Sequence, residues 1–165
     1  MATKAKTPIP EGFHTLTPHL IFDNAQAAID FYKKAFGAQE RNHSAGPDGK
    51  IMHAELQIGN SWFMLNDAMG GGKSAKALGG SPIDLWVYVD DCDALFNRAV
   101  AAGAQVGQGP MGKLQDQFWG DRTGTVIDPF GYQWTIATRK EDMSREEMDR
   151  RAQEFFKNFA QPSHA

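Results

Sequence analysis

The sequence predicts an α+β fold built from two consecutive βαβββ modules and a C-terminal helix. Several short segments alternate apolar and polar residues, as strands with one buried face do. Two segments of helical periodicity each follow a capping residue and end at a glycine. The segment NAQAAIDFYKKAFGA (24–38) also matches DDCDALFNRAVAAGA (90–104). This match indicates that one supersecondary unit is repeated along the chain.

The first module is predicted to span residues 14–67. It begins with a strand over 15–22, followed by a helix that ends at Gly37. A strand near 38–42 and a hairpin over 51–66 complete the module. The apolar alternates of the hairpin's first strand are expected to face the helix. The polar alternates therefore face the other way: His53, Glu55 and Gln57.

The second module is predicted to span residues 82–138 and to repeat the same order of elements. Its first strand is PIDLWVYVDD, its helix ends at Gly103, and DPFG forms its last turn. Three segments lie outside the modules. They are an irregular N-terminal segment (1–13), a glycine-rich linker loop expected to be mobile (68–81) and a C-terminal amphipathic helix and tail (139–165).

The C-terminal helix has a clear start and one apolar face. Ser144 and Glu147 have the spacing of a capping box. Apolar residues then recur at helical spacing: Met148, Ala152, Phe155, Phe156 and Phe159. This face is expected either to pack on its own domain or to form part of a dimer interface, and the sequence leaves both interpretations open.

Composition and charge exclude several classes of function. The chain has 165 residues, of which 41% are hydrophobic and 22% charged, as in ordinary globular proteins. A net charge of −3 provides no positive field for nucleic acid or an anionic membrane surface. Cys92 is the only cysteine, so no intrachain disulfide forms. With no apolar leader and no membrane-spanning run, we expect a cytoplasmic protein with neither nucleic-acid nor membrane partners.

The two modules and their motifs resemble the vicinal oxygen chelate (glyoxalase/bleomycin resistance/dioxygenase) superfamily, and more narrowly its PhnB-like branch. The resemblance covers roughly residues 14–152. It is carried by TPHLIFDNAQAAIDFYKKAFGA, HAELQIGNSWFMLND, LWVYVDD, FWGDRTGTVIDPFGYQW and EDMSREEM, of which the FWGDR…DPFG block is the most specific. The resemblance implies curved mixed sheets that form half-barrels around a cavity. It also implies a homodimer, since members commonly share or pack modules across a two-fold axis.

Metal-dependent members of this superfamily hold a divalent ion with four inward side chains. The corresponding positions here are Thr17, Asp84, Thr135 and either Phe63 or Met64. Of these side chains only that of Asp84 is a suitable ligand, so the usual metal centre is expected to be absent. A displaced site made of His19, His53 and Glu55 would still supply the two-histidine, one-carboxylate set known for iron, zinc and manganese. The alternative is that these three form a hydrogen-bonded polar cavity lining, and no cofactor is otherwise predicted.

Aromatic residues are the candidate ligand contacts. Trp86 and Tyr88 alternate with core residues of their strand, so they are expected to face the cavity and stack on a planar ligand. In the loop DQFWGDR (116–122), Arg122 is a candidate for binding an anionic group, with Trp119 closing over it. The alternative is that Asp121 and Arg122 only pin the loop.

Three further residues are given structural roles by the sequence pattern. Trp134 is expected to fill the core and Asp128 to form the turn before Pro129. Cys92 lies at the start of a helix, where a thiol can become reactive, but its place in the repeat is remote from the cavity. We therefore expect Cys92 to be a packing or surface residue.

Two functional hypotheses follow. The first is a small-molecule binding protein without a metal, whose cavity is lined by His19, His53, Glu55, Trp86, Tyr88, Trp119, Arg122 and Thr135. The second is a metal-dependent lyase, isomerase or dioxygenase-like enzyme using His19, His53 and Glu55. The sequence identifies neither the ligand nor any catalytic residue.

Overall fold

The computed structural model describes residues 3–159, so the ends of the predicted N-terminal segment and C-terminal tail (1–2 and 160–165) lie outside it. Its regular elements are β1 (His19–Phe22), α1 (Ala25–Phe36), β2 (Gln39–Ala45), β3 (Ile51–Ile58), β4 (Ser61–Asp67), β5 (Asp84–Tyr88), α2 (Cys92–Ala102), β6 (Gln105–Val106), β7 (Gln115–Asp116), β8 (Asp121–Ile127), β9 (Gln133–Arg139) and α3 (Arg145–Phe159). Within residues 3–159, no helix combines the length and the apolar character needed to cross a membrane.

The two repeated helices begin and end as the sequence predicts. Asn24 Oδ1 accepts the Ala27 amide at 3.0 Å, and Asp91 Oδ1 accepts the Ala94 amide at 2.9 Å. Each helix therefore has an N-cap that satisfies one of its unpaired amides. Gly37 and Gly103 follow the last turns with φ of +66° and +119°, a backbone region that favours glycine.

Each module forms one mixed sheet with the same strand order. The first sheet is ordered β1-β4-β3-β2 and the second β5-β9-β8-β6, with β7 also paired to β8. In each sheet the first and last strands of the module pair in parallel, and the other pairs are antiparallel. The predicted α+β fold with a repeated βαβββ unit is confirmed.

The modules meet through buried aromatic residues of α1, β1 and β9. The Tyr32 hydroxyl of α1 donates to Asp128 Oδ2 at 2.6 Å, and its ring lies 5.3 Å from that of Trp134. The ring of Phe22 lies 5.3 Å from that of Tyr132. Trp134 is only 4% exposed, which confirms its predicted place in the core. Cys92, at 1% exposure, is likewise a packing residue.

Two segments differ from the sequence prediction. The first strand begins at His19 rather than at residue 15, because Pro18 has no amide hydrogen to donate to a ladder. The Thr17 hydroxyl, just before it, donates to the His14 carbonyl at 2.9 Å. The glycine-rich linker is not irregular throughout: a 3-10 turn over Lys76–Leu78 follows Ser74, which is buried and whose hydroxyl accepts the Ala77 amide.

Candidate ligand-binding site

Each sheet has one face packed against its helix and one face that points away, which we call its open face. On the first sheet, His19 of β1, Met64 of β4 and Glu55 of β3 are register partners in one row across the open face. Asn66 and His53 lie in the next row. The alternation predicted for β3 is found from His53 onward, since Leu56 and Ala54 are buried on the helix side. It fails at the start of the strand, where Ile51 is buried and Met52 is 50% exposed next to a register irregularity in β2.

The polar side chains of this open face pair locally. His19 Nε2 bonds to Asn66 Oδ1, and His53 Nε2 lies 3.3 Å from Glu55 Oε1. Arg41 Nε lies 3.8 Å from the other Glu55 oxygen. Glu55 thus lies between two nitrogen groups. It already has partners for both of its oxygens.

The displaced metal set is not assembled. Met64 lies between His19 and Glu55 in the register, so the two side chains are two strands apart. His19 is instead satisfied by Asn66. Across residues 3–159, no group of three or more His, Cys, Asp or Glu side chains is placed to hold a metal ion. The alternative set of His19, His53 and Glu55 is therefore not supported by the geometry.

The superfamily's usual metal positions also do not fit a divalent ion. Thr17 donates its hydroxyl to a backbone carbonyl, and the fourth position is the Met64 thioether on the open face, whereas Phe63 is buried on the helix side. Thr135 donates to Asp84 Oδ2 at 2.8 Å. Asp84 Oδ1 is buried and has no hydrogen-bond partner within residues 3–159. One carboxylate among a thioether and two hydroxyls is a poor set for these ions.

A layer of threonines forms the base of the second sheet's open face. Thr135, Thr125 and Thr123 are at most 5% exposed. The Thr135 and Thr125 hydroxyls lie 2.9 Å apart, and Gln117 Nε2 donates to the Thr123 hydroxyl at 2.8 Å. The predicted cavity residue Thr135 thus lies on the expected face, in register with Trp86.

Trp86, Tyr88 and Trp119 come together above this layer and form what we call the aromatic triad. The Trp86 ring centroid lies 6.0 Å from that of Tyr88 and 6.5 Å from that of Trp119. The Tyr88 hydroxyl and the Trp119 indole nitrogen both donate to Asp121 Oδ2, at 2.9 and 3.1 Å. Desolvation and the nearby Asp121 carboxylate raise the pKa of Tyr88 above its ordinary value, so this hydroxyl remains a donor at neutral pH.

The triad borders a cleft of about 550 Å³, which we call the triad cleft. Its walls are Tyr88, Trp119, Asp121, Arg139, Glu141, Met143 and Met148. This volume is in the range of small-molecule sites. A slightly larger cleft, of about 590 Å³, lies beside the linker and is lined largely by glycines and polar residues. That second cleft contains none of the predicted site residues.

Arg122 does not line the site as the sequence analysis predicts. Its Nε and Nη2 donate to the two Asp93 oxygens at 2.7 and 2.8 Å, and its Nη1 donates to Asp116 at 3.2 Å. Strand alternation places Arg122 with Gly124 on the helix side of β8, one residue out of phase with Asp121. This pairing favours the alternative interpretation for Arg122, in which it pins its loop.

Sequence reasoning missed the central role of Asp121 and the contribution of α3. Asp121 alternates with Thr123 and Thr125 on β8, a pattern that would have placed all three on one face. Met148, by contrast, reaches the triad cleft from a helix remote in sequence. No local signal predicts such a contact.

Comparison with known proteins places the chain in a large superfamily. The sequence model of the glyoxalase/bleomycin resistance protein/dioxygenase superfamily matches residues 13–136. An uncharacterized protein of Mycobacterium bovis is 46% identical over 138 residues, which is 81% of this chain and 88% of the relative.

Solved structures agree with the sequence comparison. TioX of a Micromonospora species is 27% identical, with a TM-score of 0.60 over 79% of this chain and all of that one. A bleomycin-binding protein complexed with bleomycin is 20% identical, with a TM-score of 0.53 over 77% of this chain and 99% of that one, a likeness of fold alone. Membership of the PhnB-like branch stays a prediction. The chain belongs to the glyoxalase/bleomycin resistance protein/dioxygenase superfamily.

Proposed function

We propose that this protein binds a small planar organic molecule against the aromatic triad, without the usual four-ligand metal site. The observation that carries the proposal is the grouping of the Trp86, Tyr88 and Trp119 rings, two of which, Tyr88 and Trp119, line the triad cleft. Aromatic side chains that only fill a core are buried, whereas Trp86 is 40% and Tyr88 60% exposed. Exposed rings grouped in this way are characteristic of a binding surface.

The surroundings of the triad suit a ligand with both a flat ring and polar groups. The rings offer stacking surfaces, and Asp121 fixes two of them by accepting their hydrogen bonds. Arg139 and Glu141 line the same cleft as Asp121, so the cleft offers one positive and two negative groups. The resulting site is pre-formed, so little ordering of side chains opposes binding.

The relatives add limited support. The solved bleomycin-binding protein is complexed with bleomycin, so this fold holds a small molecule in at least one member. We further propose that a second copy of this chain packs against the open faces of the sheets to form a homodimer. The exposed aromatic rings of the second sheet support this homodimer. We also propose that the protein acts in the cytoplasm.

A thermal-shift screen of planar drug-like and metabolite-like compounds tests the proposal. We expect at least one compound to stabilise the protein and to quench its tryptophan fluorescence in a saturable manner. Trp119→Phe keeps an aromatic wall but removes the bond to Asp121, and we expect it to weaken binding severalfold. Arg122→Ala is the matched control, because Arg122 lies on the other face of β8. Equal effects of the two variants would contradict the proposal.

Elemental analysis separates this proposal from the metal-dependent alternative. Protein purified without chelator or metal-affinity resin is expected to contain no stoichiometric divalent ion. A stoichiometric ion that is lost in His53→Ala would overturn the metal-free proposal. His43→Ala is the control, since His43 pairs with Glu40 rather than with Glu55.

A further inference from the structure

A third, smaller cleft lies between the two modules, next to Trp86. Its volume is about 220 Å³, and we call it the intermodule cleft. The residues around it come from the stretch just before β1 (14–18), the β3–β4 hairpin, β5 and β9: His14, Leu16, Pro18, Ile58, Ser61, Trp62, Phe63, Leu85, Trp86 and Trp134. Trp86 is the only residue that it shares with the aromatic triad.

Three of the four tryptophans of the chain line this cleft, and each is held in place. The Trp134 indole nitrogen donates to Asp128 at 3.0 Å, and that of Trp86 donates to Asp84 at 3.2 Å. The Trp62 ring stacks on Phe13, with centroids 6.0 Å apart and planes inclined by 26°. The Arg41 guanidinium lies 5.3 Å above the same ring. The walls are therefore fixed before any ligand enters.

The roof of the cleft is the segment before β1. The Arg41 Nη1 donates to the Glu11 carbonyl at 3.2 Å, and the Met64 amide donates to the Pro18 carbonyl at 2.9 Å. Between these two attachments, Leu16 is 87% exposed at the mouth. The segment is thus held at both ends of the cleft, while an apolar side chain stays accessible at its entrance.

The lining chemistry defines what the cleft accepts. Within residues 3–159, His14 is the only titratable residue in the lining, and no carboxylate, lysine or arginine side chain contributes to it. A charged ligand would lose its hydration without gaining an ionic partner, which disfavours it strongly. A cavity of about 150 Å³ lined by apolar side chains holds benzene, so this slightly larger space suits one fused bicyclic ring.

We propose that the intermodule cleft binds a neutral, flat aromatic molecule of about the size of indole. The cleft is half open to solvent and lined mainly by apolar and aromatic side chains, which is the character of a small-molecule site. The inference does not depend on the proposed function, because the triad cleft is lined by Trp119 and the intermodule cleft by Trp62.

Fluorine NMR with 5-fluoroindole as the probe tests this inference. We expect its resonance to shift or broaden saturably with wild-type protein. Trp62→Ala should weaken binding about tenfold, the loss of one stacking wall, and Trp62→Phe, which keeps the stack on Phe13, should weaken it less. Trp119→Ala removes a wall of the triad cleft instead, and it should weaken binding of the probe less than Trp62→Ala does. Circular dichroism and urea unfolding establish that each variant is folded.

Four results would overturn the inference. The first is the absence of saturable binding up to the solubility limit of the probe. The second is equal binding of 5-fluoroindole-2-carboxylate, which would show that the site does not select neutral ligands. The third is a loss of affinity in Trp119→Ala alone, which would place the probe in the triad cleft and leave the proposed function standing. The fourth is an affinity that falls as the protein dimerises, which would show that a second copy fills the cleft.

Discussion

Asp128 joins the two modules through a buried carboxylate. Its Oδ2 accepts from the Tyr32 hydroxyl at 2.6 Å and from the Trp134 indole at 3.0 Å. Its Oδ1 accepts two amides of the following turn, those of Phe130 and Tyr132, at 2.9 Å each. The Asp128 side chain is only 4% exposed, so water cannot take its place as the acceptor for these donors. One carboxylate therefore satisfies donors from α1, β9 and the β8–β9 turn.

We expect Asp128→Asn to destabilise the protein by about 2 kcal/mol, because the new amide faces donors that then lack an acceptor. Urea unfolding monitored by circular dichroism measures the loss. Asp149→Asn removes an exposed carboxylate of α3 and is the control, with an expected change near zero. A loss in Asp128→Asn no larger than that in Asp149→Asn would contradict the role of Asp128 as a hub.

A comparison of the wild type with Asp128→Asn also gives a prediction for the pH dependence of stability. Burial raises the pKa of Asp128 above its ordinary value, so the folded state binds a proton more readily than the unfolded chain does. Stability from this group is thus fully present below the unfolded pKa and is lost as the pH rises through the folded pKa. Between neutral pH and pH 4, the wild type should gain stability relative to Asp128→Asn. A difference between the two proteins that is flat or shrinks on acidification would be evidence against a raised pKa.

Sequence reasoning reached only the local part of what Asp128 does. The residue types around DPFG predict a turn, and the two amide bonds of Asp128 belong to that turn. The Tyr32 bond joins residues 96 positions apart. Such a bond depends on how the modules pack, and no local pattern carries that information.

At the scale of elements, Arg122 joins α2 to the second sheet. Its guanidinium donates hydrogen bonds to both Asp93 oxygens at the start of α2 and to Asp116 on β7. The hydrogen bonds from Arg122 hold the pKa of Asp93 below its ordinary value. The stability that this pair contributes is therefore present above the ordinary pKa of an aspartate and is lost as the pH falls through the lowered value.

We expect Arg122→Ala to lower the free energy of unfolding by about 1 kcal/mol, since the pair is partly exposed and screened by solvent. Arg122→Lys keeps the charge but not the fork, so it should recover only part of the loss. Neither variant should change the affinity for a ligand of the triad cleft. Urea unfolding and fluorescence titration measure the two quantities. Weakened binding with unchanged stability would return Arg122 to the ligand site.

The misplacement of Arg122 shows where element boundaries limit prediction. The helices were predictable because Asn24, Asp91, Gly37 and Gly103 cap them locally. Treating 116–122 as a loop left the direction of each side chain undetermined. The strand in fact begins at Asp121, and a shift of one residue sends a side chain to the opposite face.

At the scale of the whole molecule, the internal repeat predicted the paired sheets but not how α3 is used. Among the described side chains of α3 none is buried, and Phe156 is 60% exposed. The side chain of Phe159, the last residue of the predicted stripe, lies outside the described ones. The helix contacts its own domain through Phe118, whose ring lies 5.1 Å from Phe155, and lends Met148 to the triad cleft. Within residues 3–159, the exposure of Phe156 on this apolar face favours the interface interpretation over simple packing.

We therefore expect the 18.2 kDa chain to sediment as a homodimer, and Phe156→Glu to shift it toward the monomer. A charge placed in an apolar interface must be desolvated without a partner, which opposes association. Leu78→Glu is the matched control, because Leu78 is 64% exposed on the linker, away from α3. Circular dichroism should be unchanged in both variants. Analytical ultracentrifugation that finds wild-type monomers at every concentration would overturn the homodimer. A Phe156→Glu protein as dimeric as the wild type would instead assign the interface to the open faces without α3.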